Sequence, residues 1–174
     1  MLARTLLSAS YKTIIRMKPA THRTALRVQS LLGPRFEVLE FDVSTRSGAE
    51  AAAAIGCTVG QIAKSLVFRA TTSDRSVLVV TSGANRASES LIATHLGETV
   101  ERGNADLVRN RTGFAIGGVP PIGHSESMLV LIDDDLRKFD EIWAAAGTPN
   151  AVFRLTFDDL LTLTGGTVAR VAEN

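Results

Sequence analysis

This chain of 174 residues is poor in several residue types, and each shortage narrows what the protein can be. It has a single cysteine, Cys57, so no disulfide can form within the chain, which is consistent with a reducing cytoplasm. One cysteine and three histidines without ligand spacing argue against a bound metal. No run of about 18 apolar residues exists, so we expect no membrane-spanning helix and no membrane partner. These shortages favour a cytoplasmic location.

Several catalytic motifs are also absent. There is no P-loop, and the lone glycine pair at Gly117 and Gly118 does not make a dinucleotide fingerprint. The segment Ser82-Gly-Ala-Asn85 lacks the pattern of a nucleophile elbow. We therefore expect no cofactor and no covalent serine nucleophile.

One lysine stands out because lysine is scarce: the chain has four lysines and fifteen arginines. Lys64 lies in a segment, Thr58 to Phe68, that is otherwise mostly apolar or small. Thr58 and Gln61 have the spacing of a capping box, which predicts a short helix ending near Lys64, where a strand begins at Ser65. A lysine in that position is either functional or a snorkelling side chain with a buried stem.

The segment from Arg111 to His124 is dense in residues that shape the backbone. Gly117 and Gly118 leave their N–H groups accessible, whereas Pro120 and Pro121 fix φ and carry no N–H. Such a loop suits the binding of an ester carbonyl, an amine or a ribose hydroxyl through the main chain. The alternative is an ordinary turn between two strands.

Together these segments resemble the YbaK-like family of aminoacyl-tRNA deacylases, the freestanding relatives of the editing domain inserted in bacterial prolyl-tRNA synthetases. The lysine of Gln61-Ile-Ala-Lys64-Ser-Leu-Val-Phe68 is similar to the family's active-site lysine. Gly117-Gly-Val-Pro-Pro121 is similar to its G-x-x-x-P loop and follows the usual Thr112-Gly113-aromatic. The resemblance covers roughly residues 20 to 172, with the motifs and elements in the same order.

The resemblance implies hydrolysis of the ester between a wrong amino acid and the terminal adenosine of a tRNA. Lys64, Gly117 and Gly118 are the implied catalytic residues, with backbone N–H groups stabilising the oxyanion and no covalent nucleophile. In the family the ribose 2′-hydroxyl of the tRNA assists. The substrate is expected to contact four further residues: Val119, Pro121, His124 and Asp133. For Asp133 the alternative is a cap of the turn Asp133-Asp-Asp135.

The implied partner is an aminoacyl-tRNA, with proline tRNA favoured, and a transient complex with a synthetase is a further implication. Beyond residue 18 the chain holds fifteen basic and eighteen acidic side chains, so tRNA binding would depend on local patches, and no DNA binding is expected. Arg109 and Arg111 are the predicted tRNA-binding residues, and Arg102 is another candidate. The Ala, Ile and Val residues near the loop suggest a small acyl group; cysteinyl, alanyl, seryl and threonyl esters stay open.

Two other functions fit the same residues. One is a tRNA- or synthetase-binding module that keeps the fold without hydrolysis, although an intact lysine and glycine loop count against it. The other is a hydrolase of a different small ester or thioester. Activity that requires tRNA separates a deacylase from a general esterase, and turnover separates it from a binding module.

The pattern of elements predicts one α+β domain, a mixed or antiparallel curved sheet or open barrel flanked by helices. Predicted helices cover residues 23–32, 49–55, 87–96, 105–110 and a segment capped by Thr156-Phe-Asp-Asp159. Predicted strands cover residues 37–42, 65–70, 76–82, 114–117, 128–132, 141–145 and 152–155.

The first residues are treated separately from the domain. Residues 1–17 read as an N-terminal extension or a mis-annotated start, and residues 18–174 as the deacylase domain. The segment from Met1 to Arg16 is basic and free of acids, so a mitochondrial presequence is the alternative.

Overall fold

The computed structural model describes residues 16–43, 45 and 47–173. In that part of the chain nine strands and five α-helices are present. The strands are β1 (Met17–Pro19), β2 (Val38–Phe41), β3 (Ile62–Ala70), β4 (Ser76–Ser82), β5 (Val100–Arg102), β6 (Leu129–Asp133), β7 (Ile142–Ala145), β8 (Ala151–Leu155) and β9 (Thr167–Ala169). The α-helices are α1 (Arg23–Leu32), α2 (Gly48–Ile55), α3 (Glu89–Leu96), α4 (Ala105–Thr112) and α5 (Phe157–Thr164), and 3-10 helices cover Val59–Gln61 and Asp134–Lys138.

All the described strands belong to one mixed sheet with the order β1-β2-β8-β7-β3-β4-β6-β9, and β5 pairs with β3. The pairs β3–β7, β4–β6 and β6–β9 are parallel, and the other pairs are antiparallel. Because β1 and β9 end the order without meeting, the sheet is not closed. The predicted α+β class with a single mixed sheet is confirmed.

The centre of the sheet is β4, which is buried at every position. Leu78 and Val80 pack into one hydrophobic cluster, and Val77 and Val79 pack into another. Side chains of a strand alternate between its two faces, so the sheet has a core on each face. A strand covered on both sides is apolar without interruption, as this one is.

Local signals in the sequence set the helix ends. Asn104 accepts a hydrogen bond from the N–H of Leu107 and caps α4, and Thr156 with Asp159 forms the capping box of α5. Gly56 ends α2 in the left-handed conformation with φ +84°. These three predictions are confirmed.

The strand predicted at residues 114–117 is wrong. The N–H of Gly118 donates to the C=O of Ala115 and closes a turn there, and Gly117 has φ +87°, outside the range of extended backbone. Phe114 is buried without belonging to a strand, which is why an apolar run misled the prediction. The turn leads directly into the glycine-proline segment.

Residues 1–17, the predicted extension, lie outside the described residues except for the last two. Met17 begins β1 and pairs with Phe41 of β2. Within the described ranges no helix is long and apolar enough to cross a membrane.

Candidate active site

A cavity of about 250 Å³ opens beside the middle of β3. Its walls come from α2 and the residues before it, the β7–β8 hairpin, the residues that follow β5, and the segment around Gly117. Lys64 lines it, as do Gly117 and Val119. The two segments singled out in the sequence therefore meet at one cavity, although more than 50 residues separate them in the chain.

The cavity exists because one edge of β3 is incompletely paired. On one side β3 pairs with β4 from Ala63 to Arg69. On the other side β7 pairs only with Ile62 and Ala63, and β5 pairs only with Phe68–Ala70. The stretch between them, residues 64–67 on this edge, is called here the β3 gap.

Main-chain groups of Ser65 face the β3 gap. Alternate residues of a strand direct their N–H and C=O groups to opposite edges. The C=O of Val67 accepts from the N–H of Gly103 on the gap side at 2.8 Å, so Ser65, two residues earlier, presents its main chain on the same side. A ligand in the cavity can thus meet both a donor and an acceptor of β3.

Lys64 is the third residue of β3, which begins three residues earlier than predicted because the capped 3-10 helix ends at Gln61. Its side chain is half-buried, and its Nζ donates to the main-chain oxygen of Asn85 at 2.9 Å. Burial lowers the pKa of the Lys64 ammonium, as does the nearby charge of Arg102, whereas Asp133 acts in the opposite direction.

The residue that receives the Lys64 hydrogen bond is itself held by two carboxylates. The side-chain amide of Asn85 donates to Asp133 at 2.9 Å and to Asp135 at 2.8 Å. Because both bonds fix the turn after β4, they fix the oxygen to which Lys64 donates. This network holds the Lys64 ammonium in one position.

Asp133, predicted to contact substrate, lies behind this wall and does not line the cavity. It is only 3% exposed and accepts from the hydroxyl of Thr81 at 2.7 Å and from the N–H of Ser82 at 3.1 Å, in addition to Asn85. It also caps the 3-10 helix that follows, by accepting from the N–H of Asp135. The alternative noted in the sequence, a capping aspartate, describes this geometry.

The two catalytic glycines predicted from the loop sit in different surroundings. Gly117 lines the cavity, whereas Gly118 does not and packs against the β7–β8 hairpin. A Cβ on Gly118 would lie 2.8 Å from Cα of Thr148, so only glycine fits there. The C=O of Gly118 accepts from the N–H of Gly147 at 2.9 Å, and this bond joins the loop to the hairpin.

Two residues of the loop that line the cavity have main-chain donors without a protein acceptor among the described residues. Within the described part of the chain the N–H groups of Gly117 and Val119 donate to no protein acceptor, whereas that of Gly118 is used by Ala115. Donors held in a rigid turn can stabilise negative charge that develops on an ester oxygen. Gly117 and Val119 are therefore the geometric candidates for that contact.

Pro121 and His124 brace the loop from outside the cavity lining. Nε2 of His124 lies 2.8 Å from the C=O of Pro120, so this nitrogen carries a proton and donates. Burial lowers the pKa of His124 and so favours the neutral ring, although the bond to Pro120 acts in the opposite direction. Both residues can shape the loop, and neither touches the cavity directly.

The predicted tRNA-binding arginines differ in availability. Arg111 is tied to Asp74 by two bonds of 2.9 and 3.0 Å and to Glu126 at 3.1 Å, and these carboxylates raise its pKa. Arg109 is exposed, and its guanidinium has no acceptor among the described residues. Arg102 lines the cavity and adds a second positive charge to that of Lys64.

Sequence reasoning missed two polar lining residues. Ser65 Oγ and Trp143 Nε1 are buried and have no hydrogen-bond partner among the described residues. Such groups are rare in folded proteins and call for an explanation. The only tryptophan in a chain with 5% aromatic residues was the available signal for Trp143; for Ser65 none existed, since its position beside the gap depends on strand pairing.

No group of three or more His, Cys, Asp and Glu side chains converges as a metal site in the part of the chain that the structure describes. The site consists of a lysine, an arginine, a few neutral polar side chains and main-chain groups beside apolar residues. Such a set can position a phosphate or ribose and polarise an ester.

Comparison with known proteins identifies the family of this chain. The profile of the aminoacyl-tRNA editing domain matches residues 42–163, which contain both the lysine and the loop. The protein YwhH of Bacillus subtilis is 32% identical over 124 residues, or 71% of this chain and 78% of its own.

Solved structures agree with the sequence matches. A crystal structure described as a proposed trans-editing enzyme for prolyl-tRNA synthetase is 42% identical, with a TM-score of 0.84 over 89% of this chain and 100% of its own. The hypothetical protein APE2540 is 27% identical, with a TM-score of 0.78 over 86% of this chain and 99% of its own. The chain therefore belongs to the aminoacyl-tRNA editing domain family.

Proposed function

We propose that the protein is a trans-editing hydrolase that removes a small noncognate amino acid from mischarged tRNA, with proline tRNA as the favoured carrier. The observation that carries the proposal is the meeting of Lys64 with the free N–H groups of Gly117 and Val119 at one cavity. Membership of the editing domain family and the likeness to a proposed prolyl-tRNA trans-editing enzyme support it. The same proposal implies that the protein acts in the cytoplasm and needs no cofactor. It also implies that any contact with a synthetase is transient.

The chemical task is small because an aminoacyl ester is already activated. In the proposed reaction, Gly117 and Val119 donate to the ester oxygen as negative charge develops on it. Gly118 contributes the shape of the turn, because its own N–H is engaged. Main-chain donors fixed in this way need little reorganisation during the reaction, and the ribose hydroxyl next to the ester can assist the attack of water.

The cationic side chains hold the tRNA end of the substrate. Lys64, fixed by its bond to Asn85, contacts the terminal ribose or phosphate, and Arg102 faces the phosphate next to it. Arg109 extends this charge along the surface towards the acceptor stem. Arg111 has a structural role, since Asp74 and Glu126 neutralise its charge.

The apolar part of the cavity selects a small acyl group. Ala51, Ile62, Ala145 and Val152 line it, together with Trp143. A difference of one methylene in such a pocket changes the binding free energy by only about 1 to 3 kcal/mol, so several small amino acids can compete as substrates. Unpartnered polar atoms at Ser65 and Trp143 support a binding role, because leaving each unpaired costs about 1 to 3 kcal/mol of stability.

The test is deacylation of proline tRNA charged separately with alanine, cysteine, serine or proline. We expect one small noncognate ester to be lost faster than the others and than prolyl-tRNA. Lys64→Ala should lower kcat/KM by about 100- to 1000-fold, the usual effect of removing one stabilising contact. Lys18→Ala is the matched control, because Lys18 is exposed and makes only a 3.6 Å surface pair with Asp42.

Binding and folding of each variant are measured in parallel. Far-ultraviolet circular dichroism should be the same for both lysine variants and the parent protein. If the protein binds tRNA but hydrolyses none of these esters above background, the deacylase proposal fails and a binding module of the same fold takes its place. Hydrolysis of simple esters without tRNA would indicate a general esterase.

A further inference from the structure

The cavity that we assign to the acyl group has positive charge and no carboxylate. Among the described residues that line it, Lys64 and Arg102 are the only charged ones. The residues outside the described ranges, 1–15, 44, 46 and 174, include no aspartate or glutamate. An α-ammonium group in this cavity would therefore face two positive charges and no negative side chain.

Both oxygens of the carboxylate that interacts with Lys64 already accept hydrogen bonds from the protein. Asp133 is buried, and its oxygens accept from Thr81, Ser82, Asn85 and the N–H of Asp135. Asp135 accepts from Asn85 and pairs with Lys138. Neither carboxylate lines the cavity, so neither can reach the substrate amine without breaking the network that holds Lys64.

Nearby positive charge favours the neutral form of an amine. An α-amino group has an ordinary pKa of about 7.7 to 8.0, so its neutral form is well populated near neutral pH. A neutral amine and a hydroxyl are close in size, and each can both donate and accept a hydrogen bond. The donor and acceptor of Ser65 at the β3 gap can bind either one.

We propose that the cavity binds the acyl group without pairing its α-ammonium to a carboxylate, and that the protein therefore also hydrolyses tRNA esters of small α-hydroxy acids. This inference rests on the proposed deacylase function. In the reaction the oxygen of water bonds to the acyl carbon, and the bond from that carbon to the ribose oxygen breaks. The proton goes to the ribose oxygen, so the products are a free α-hydroxy acid and uncharged tRNA, with no redox change.

The experiment compares two esters of the same tRNA. Alanyl-tRNA is divided, and one half is converted to lactyl-tRNA by nitrous acid deamination, which replaces the amine with a hydroxyl. For each ester kcat/KM is divided by the rate of spontaneous hydrolysis. We expect the two normalised values to agree within about tenfold, whereas a site built to bind the amine would reject the analogue by about 10⁴-fold.

A paired substitution adds the missing charge at a known place. Ser47 lines the cavity and caps α2 by accepting from the N–H of Glu50 at 3.2 Å. Asp and Asn cap helices as well as Ser does, so Ser47→Asp and Ser47→Asn should both fold. We expect S47D to raise the preference for the alanyl ester by about tenfold, the effect of one pKa unit, and S47N to leave it unchanged.

Each outcome bears on the inference. A preference of the parent protein for the alanyl ester of about 100-fold or more overturns it. If S47D and S47N show the same preference for the alanyl over the lactyl ester, the inference is also overturned, because the acyl group would then not lie in this cavity. If neither ester is hydrolysed faster than by the Lys64→Ala variant, the proposed function itself fails, and the inference that rests on it fails too.

Discussion

At the scale of single residues, the two neighbouring glycines of the loop are required for different physical reasons. Gly117 is a glycine because of its backbone angle, φ +87°, and a Cβ there would have room, with Pro149 no nearer than 3.7 Å. Gly118 is a glycine because of space, since the backbone of Thr148 lies where its Cβ would be. Gly117 allows the turn to form, and Gly118 allows the loop to pack against the β7–β8 hairpin.

Alanine substitutions should separate these reasons. Gly117→Ala should lower the free energy of unfolding by about 1 to 2 kcal/mol, the cost of a side chain in a left-handed conformation. Gly118→Ala should cost more, because the backbone of Thr148 must move as well. Both variants should deacylate more slowly, since the unpaired N–H groups of Gly117 and Val119 shift. Chemical denaturation and single-turnover kinetics measure the two effects.

Gly97→Ala is the matched control for this pair. Gly97 has φ +75° and nothing within 4 Å of a built Cβ, and it ends α3 away from the cavity. We expect its stability to fall as in Gly117→Ala while the rate stays at the parent level. A parent-like rate and stability in Gly118→Ala would contradict the tight packing against the hairpin.

Glu98 shows how one partly buried carboxylate can hold a turn. Its oxygens accept from the N–H groups of Thr72 and Ser73 at 3.0 and 2.8 Å and from the hydroxyl of Ser73 at 2.6 Å. The Ser73 hydroxyl and N–H bonds are the main causes that lower the pKa of Glu98 to about 2. The turn between β3 and β4 is thereby joined to the end of α3.

This depressed pKa predicts an acid-dependent contribution to stability. A carboxylate with a lower pKa in the folded state stabilises the fold above its ordinary value of 4.5, and this contribution is lost as the pH falls from there towards 2. Glu98→Gln should therefore lower Tm at pH 7. At pH 3 the Tm values of the variant and the parent protein should differ less than they do at pH 7. An equal Tm difference at both values would contradict the assignment. Thermal scans over this pH range provide the measurement.

At the scale of elements, α4 is placed so that its first turn borders the cavity. Asn104 caps the helix by accepting from the N–H of Leu107 at 2.9 Å. Arg102 and Gly103, which line the cavity, come directly before this cap. A well-ordered first turn of α4 therefore holds Arg102 and Gly103 in place, and with them the part of the cavity wall that they form.

We expect Asn104→Ala to lower the free energy of unfolding by about 1 kcal/mol, the usual cost of a lost N-cap. It should also raise KM for charged tRNA, because Arg102 loses its fixed position. Ser88→Ala, which removes the cap of α3, should cost similar stability without changing KM. If both variants change KM alike, the position of α4 is not what holds Arg102. Denaturation and steady-state deacylation test this prediction.

The elements that were predictable are those with local signals. The bounds of α1 agree with the prediction, and the caps of α2, α4 and α5 were readable from single residues. The three-residue strands β1, β5 and β9 were not predicted, because segments so short carry little pattern of their own and depend on the strands beside them.

The candidate site was partly predictable for the same reason. Lys64 and the glycine loop were found through a resemblance that depends on nearby residues, and both lie at the cavity. The β3 gap could not be found, because it depends on where β5 and β7 end against β3, and β7 lies about 80 residues away in the chain. The role of Asn85 was also hidden, because Lys64 binds its main chain and not its side chain.

At the scale of the whole molecule, the strand β4 joins two of the three hydrophobic clusters of the described residues. Leu78 of β4 is fully buried in the larger core, and its neighbours Val77 and Val79 are fully buried in the core on the other face. Since β4 is shared, neither core can lose its packing while the other stays intact. This geometry favours unfolding as a single cooperative unit.

Leu78→Ala should therefore destabilise both faces together. The expected loss is about 2 to 5 kcal/mol, as for other leucines removed from a packed core. Fluorescence of Trp143, the sole tryptophan, and far-ultraviolet circular dichroism should report the same midpoint in the variant and in the parent protein. Two separated midpoints would show that the cluster that contains Trp143 unfolds independently of the rest of the sheet. The measurement is a denaturant titration followed with both signals.

The β3 gap also bears on self-association. Unpaired strand edges are the places where folded proteins recruit another chain and begin to aggregate. Here β7 and β5 close the gap at both ends, and within it the C=O of Val67 already accepts from Gly103, so a second polypeptide strand has no room to lie along it. The fold can keep main-chain groups available to a small acyl group while denying the same edge to another protein.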